Sequence, residues 1–153
     1  MDKIEQVVSN AEQYCKKHGS RLTIKRKQVL SSLVRSGKAL SAYDLITLCE
    51  RDFGDKIAAM SIYRILDFLV NLGLVHKLKL ANKYVACAHI NCDGGHEVTQ
   101  FLICADCDQV KEINVDSNTM ADLQQNVQSA GFQLLSPQLE MHCICNKCAV
   151  VNN

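Results

Sequence analysis

The chain has 153 residues, 48% of them hydrophobic, and a net charge of +1. That is enough apolar material for one domain or two small ones with real cores. No apolar run is long enough to cross a bilayer, and Met1-Asp2-Lys3-Ile4-Glu5-Gln6 carries no signal-peptide pattern, so the expectation is a cytoplasmic protein with no membrane partner.

The small net charge hides a split. Through residue 87 there are fifteen Lys/Arg against eight Asp/Glu; from residue 88 onward there are two against eight. Seven of the nine cysteines lie at 87 or beyond. A basic half suits a polyanion and an acidic, thiol-rich half suits metal cations. The expected division is therefore 1–87 and 88–153.

Along the first half, Ile4, Val7, Val8, Ala11, Tyr14 and Cys15 share one helical face, which Gly19 ends. Thr23 is an N-cap for a second helix with Val29, Leu30, Leu33 and Val34 inward and Gly37 as its stop. Ser41 caps a third, with Leu45, Ile46 and Leu48 inward and Cys49 as a core thiol. Ser61 opens a fourth, with Ile62, Ile65, Leu66 and Leu69 inward and Gly73 after it. Leu74 to Leu80 and Lys83 to Cys87 read as two strands joined through Ala81-Asn82. Helices followed by a basic hairpin outline a winged helix, whose late helix enters the major groove. Arg64 on that helix suits the N7 and O6 edge of guanine, and Tyr63 suits a phosphate or a thymine methyl. The alternative is a solvated Arg64 paired with Asp67. Lys77, Lys79 and Lys83 on the hairpin suit phosphates.

In the second half, Phe101-Leu102-Ile103 runs into Cys104-x-x-Cys107. Val110, Ile113 and Val115 alternate on a strand. Ser117 caps a helix with Met120, Leu123, Val127 and Ala130 inward, ended by Gly131. Phe132 to Met141 forms a further strand, and Cys145-x-x-Cys148 follows. Each C-x-x-C turn puts two thiolates on one side of a tight loop, and two such loops make a tetrahedral four-sulfur cage for Zn²⁺. An odd cysteine count fits metal ligands and spare thiols better than disulfides. The fold class is thus α+β: an N-terminal winged helix, then a small α/β dimerisation domain with a four-cysteine zinc site. So small a domain calls for a metal staple and a partner subunit.

The order Arg21-Leu22-Thr23, Ser41-Ala42-Tyr43-Asp44-Leu45, Ser61-Ile62-Tyr63-Arg64-Ile65-Leu66-Asp67-Phe68-Leu69, Gly73-Leu74-Val75-His76-Lys77 and Phe101-Leu102-Ile103-Cys104-x-x-Cys107 resembles the ferric-uptake-regulator (Fur) family of metal-responsive repressors. The resemblance covers roughly residues 5 to 148. Ala42-Tyr43-Asp44-Leu45 and Tyr63-Arg64-x-Leu66-Asp67-Phe68-Leu69, with His76 and Cys87, are most similar to its zinc-uptake-regulator branch. The resemblance implies a homodimer that binds double-stranded operator DNA and represses zinc-uptake genes when zinc-loaded. It adds Tyr43 and Ser61 to Tyr63, Arg64, Lys77 and Lys79 as DNA contacts. It implies a regulatory zinc on His76, Cys87, His96 and Glu112, hence two Zn²⁺ per subunit. Two imidazoles, a thiolate and a carboxylate are a borderline-soft tetrahedral set suited to zinc. Taken singly, His76 and Glu112 could be surface residues and Cys87 a buried thiol. His89, Cys92, His142 and Cys143 are spare candidates without a role.

The chain departs from iron-sensing members, where a His-His-Asp-His cluster is common; here the stretch is Asp93-Gly94-Gly95-His96-Glu97. An iron or peroxide sensor is therefore the alternative within the family. From another class, a zinc hydrolase or deaminase needs His-Glu-x-x-His, or His-x-Glu with Pro-Cys-x-x-Cys, and neither motif is present. A purely structural zinc module fits the charge split poorly. The expectation is a regulator rather than an enzyme, with no small-molecule substrate beyond the metal ion.

Overall fold

The computed structural model describes residues 2–88, 90, 99–135 and 138–151. The chain divides into two compact units, Met1–Asp93 and Gly94–Asn153. The first contains α1 (Lys3–Lys17), α2 (Ile24–Ser36), α3 (Ala42–Phe53), α4 (Ala59–Asn71), β1 (Val75–Leu78) and β2 (Lys83–Ala86). The second contains β3 (Thr99–Cys104), β4 (Val110–Asn114), α5 (Ser117–Ser129), β5 (Leu139–Cys143) and α6 (Asn146–Val151).

In the first unit each helix contributes a stripe to one core. Ala11 and Cys15 of α1, Val29, Leu30 and Leu33 of α2, Leu45 and Cys49 of α3, and Ile62, Leu66 and Leu69 of α4 pack with Val75 and Tyr84 of the hairpin. Burying a side chain of this size stabilises by about 1.5–3 kcal/mol. Tyr14 does not join them: it is exposed and packs on the His18 ring at a centroid distance of 4.1 Å. Its position at the edge of the stripe lets the phenol remain in water.

Thr23 accepts the Arg26 N–H at 3.4 Å, as its sequence position implies. Ser41 and Asp44 form a reciprocal capping box, both bonds 3.1 Å, so α3 starts at a defined residue. The fourth helix does not start at Ser61. It begins at Ala59, and Ala58 is its cap without a side-chain bond. Ala59 and Met60 are strong helix formers that extend the helix backwards, leaving Ser61 half-buried inside its first turn.

The hairpin is shorter than the two apolar runs. β1 and β2 pair antiparallel with His76 opposite Val85 and Lys77 opposite Tyr84. Asn82 turns the chain with φ 51°, and Leu80 lies exposed outside the ladder. Leu40 exchanges backbone bonds of 2.9 and 2.8 Å with Tyr84, which ties the wing to the start of α3.

The second unit is a three-stranded sheet in the order β4-β3-β5. β3 pairs antiparallel with β4 and parallel with β5, and Cys104 stands opposite Cys143. Asp116, not Ser117, caps α5, accepting the Asn118 N–H at 2.7 Å and the Thr119 N–H at 3.3 Å. Of the face expected to point inward, Met120 is buried, Leu123 and Val127 half-buried, and Ala130 exposed. The expected strand from Phe132 to Met141 is also corrected, because the strand runs Leu139–Cys143 and residues 132–135 are irregular. Gly131 (φ 86°) precedes that stretch, and Phe132 and Leu135 in it are exposed.

Candidate metal centres and nucleic-acid interface

The sheet of the second unit brings its two cysteine pairs to one end. Cys104 ends β3, and the turn through Asp108 (φ 61°) returns Cys107 beside it; the Asp108 N–H bonds the Cys104 carbonyl at 3.1 Å. β5 runs parallel to β3 and delivers Cys145 to the same end, with Cys148 one turn into α6. The four Sγ atoms all lie within 4.8 Å of one another, and Cys107 and Cys145 are 3.8 Å apart. A tetrahedron with Zn–S bonds of about 2.3 Å has S···S edges of about 3.8 Å, so the donors fit zinc in number, type and spacing.

The electrostatics call for a cation. Cys104 is pushed down to about 6, first by the Cys145 backbone N–H and then by that of Cys107. The Cys145 N–H reaches its sulfur at 3.4 Å. Cys148 is pushed up to about 12, chiefly because it hydrogen-bonds Cys145 and is partly desolvated. For Cys107 the Gln109 N–H pulls down, but proton sharing with Cys104 and burial push the net value up. One thiolate thus forms readily while Cys107 and Cys148 hold their protons; a divalent ion among the four sulfurs would let all of them ionise.

Cys143 on β5 is not one of the four grouped sulfurs and donates to the Met141 carbonyl at 3.7 Å. No disulfide links any of the described cysteines. Lys111 and Lys147 carry no motif in the sequence. They line, with Cys104, Cys143 and Cys145, an open cavity of about 400 Å³. They are the only Lys/Arg beyond residue 87, a signal the charge split already contained.

The regulatory candidates sit as follows. His76, half-buried on β1, and Cys87, buried just after β2, hold their ligand atoms within 4.8 Å of each other. The Cys87 N–H bonds the Leu74 carbonyl at 2.9 Å, which fixes the chain there. Glu112 is half-buried on β4 opposite Phe101. His96, His89 and Cys92 lie outside the described residues. His142 is exposed on β5.

On α4, packing through Ile62, Ile65, Leu66 and Leu69 turns Met60, Tyr63, Arg64 and Asp67 to solvent. Among the described residues no ion pair joins Arg64 to Asp67. Tyr43 is exposed near the start of α3, and Lys77 and Lys79 are exposed on the wing. The four-sulfur cage and a basic four-helix unit with a hairpin are therefore both present in one chain. The family model that matches, over residues 17–142, is the ferric uptake regulator family.

The chain belongs to the ferric uptake regulator family.

Among similar members is the zinc uptake regulation protein of Escherichia coli K12, 33% identical over 148 residues, spanning 96% of this chain and 84% of that protein. A solved zinc uptake regulator complexed with zinc and DNA superposes with a TM-score of 0.86 at 30% identity, covering 99% of both chains. Holo XcZur superposes with 0.78 at 36% identity, covering 95% of this chain and 98% of that one. Family members are transcription regulators, and among the described residues no helix is long and apolar enough to cross a membrane.

Proposed function

We propose that this member of the family is a zinc-responsive transcriptional repressor. It binds operator DNA as a homodimer when zinc-loaded and represses zinc-uptake genes. The observation that carries the reading is likeness along 99% of the chain to a zinc uptake regulator that holds both zinc and DNA. The protein works in the cytoplasm and is not an enzyme.

Residues 1–87 form the DNA-binding domain and 88–153 the dimerisation and metal domain. Cys104, Cys107, Cys145 and Cys148 hold a structural Zn²⁺, whose chemistry is to tie four ionised sulfurs into one tetrahedron. His76, Cys87, His96 and Glu112 form the regulatory set. The close approach of His76 and Cys87 supports the pair. Both donors are positioned by the hairpin, His76 by the β1 register and Cys87 by its backbone bond to Leu74.

Tyr43, Ser61, Tyr63 and Arg64 face the bases and nearby phosphates, and Lys77 and Lys79 follow the backbone. Arg64 suits bidentate contact with a guanine edge. Because His76 sits next to Lys77 on β1, ordering the metal donors also orders the wing.

The test separates sensing from folding. Cys87→Ser is expected to give a folded dimer that retains the cage zinc and loses zinc-dependent DNA binding, read by metal analysis and fluorescence anisotropy. A Cys87→Ser protein that tightens on DNA at the parental zinc concentration removes Cys87 from the regulatory set.

A further inference from the structure

The face of α4 turned to solvent carries one large apolar side chain that the DNA reading leaves unused. Met60 is 71% exposed, more than Tyr63 at 43% on the same face. Scattered exposed apolar residues are ordinary, so exposure alone assigns nothing. Position assigns more. Met60 is the second residue of α4, one turn before Tyr63 and Arg64, and the first turn of a recognition helix is where side chains reach base edges. The surrounding unit carries the chain's excess of cations, with Lys77 and Lys79 exposed on the hairpin. Duplex DNA is the occupant that this charge favours.

Resting on the DNA-binding reading above, we infer that Met60 is a specificity-determining residue that packs on the C5-methyl group of a thymine in the major groove. A thioether has no proton to donate to a base edge. What it offers is a flexible, polarisable apolar surface, and the thymine methyl is the apolar group the major groove presents. Met60 and Arg64 are about 6 Å apart along the helix axis. Base pairs rise by about 3.4 Å, so the thymine lies within about two base pairs of the guanine that Arg64 reads.

The experiment uses the zinc-loaded full-length dimer and the duplex it enriches from a random pool. Arg64→Ala locates the guanine by the position where base preference disappears. Each thymine near it is then replaced by deoxyuridine, which removes only the methyl. The parent should lose about fourfold in affinity at one such position per half-site, the effect of burying one methyl-sized group. Met60→Ala should lose about the same on the thymine duplex and nothing further on the deoxyuridine duplex, whereas Met60→Leu should retain the discrimination. Three results overturn the inference: a parent indifferent to every nearby deoxyuridine, an operator with no thymine in that window, or undiminished discrimination by Met60→Ala. If zinc enriches no sequence from the pool, the DNA-binding reading itself fails, an outcome distinct from these three.

Discussion

Replacing Cys104 by Ser is the most demanding perturbation of the second unit. Among its described residues the buried apolar side chains are few: Phe101, Ile103, Cys104, Val115 and Met120. Cys104 is also where β3, the turn to Cys107 and the Cys145 backbone N–H converge. A structural zinc contributes on the order of 10–16 kcal/mol in small peptides, comparable with the about 5–15 kcal/mol that stabilises a whole domain. Losing only a third of that, roughly 3–5 kcal/mol, lowers Tm by about 12 °C or more at about 4–8 °C per kcal/mol. Metal analysis should find one zinc fewer per subunit, and calorimetry should show the second unit melting early. The first unit, with its own core of helices and hairpin, should keep its transition. A Cys104→Ser protein with full zinc content and the parental melt would refute the cage.

Asp116→Ala should cost about 1 kcal/mol, because it removes the cap of α5, while Ser117→Ala should be close to neutral in the same thermal melt. Asp116 is held below its usual carboxylate range by the Thr119 hydroxyl and then by the Thr119 and Asn118 N–H groups. A depressed carboxylate stabilises the fold above its unfolded pKa and loses that contribution as pH falls through the folded one, so the two variants should converge in acid. Arg64→Ala should weaken specific binding by about 1–3 kcal/mol and relax one base position, whereas Lys79→Ala should weaken all duplexes about equally and flatten the salt dependence. A competition assay across operator variants separates the two patterns, and the reverse assignment would mean that α4 does not read bases.

The parts of the molecule written in local chemistry were legible from the residues. The two C-x-x-C pairs specify their cage by spacing, and Thr23 and Ser41 specify helix starts through their own hydroxyls. The errors fall where two local signals compete. Ser61 and Ser117 both look like caps, but Ala58 and Asp116 precede them; α4 runs back to Ala59, and the Asp116 carboxylate is the better acceptor. Apolar content alone misplaced the strand after Gly131, since Phe132 and Leu135 are apolar but exposed. Tyr14 shows the limit of periodicity, which places a side chain on a face without saying whether anything covers its edge. Glu112 is named only by the resemblance, because in the sequence one acid on a strand resembles any other. His76 and Cys87 are named together only by the family resemblance, and the fold holds their ligand atoms within 4.8 Å of each other.

The central claim is that zinc at the regulatory donors favours DNA binding. In the proposed set, His76 and Cys87 belong to residues before 94 and His96 and Glu112 to residues after 93, so a zinc that took all four would remove backbone freedom before DNA arrives. Fixing a residue's backbone costs about 1–2 kcal/mol, and a few such residues amount to a large change in affinity. By linkage, DNA must then tighten zinc by the same factor. The measurement is a zinc titration of the dimer, its cages already filled, followed by anisotropy of a labelled operator. The account predicts that DNA binding tightens as the second zinc equivalent per subunit is taken up. Tight binding without that zinc, with release on its addition, would contradict it.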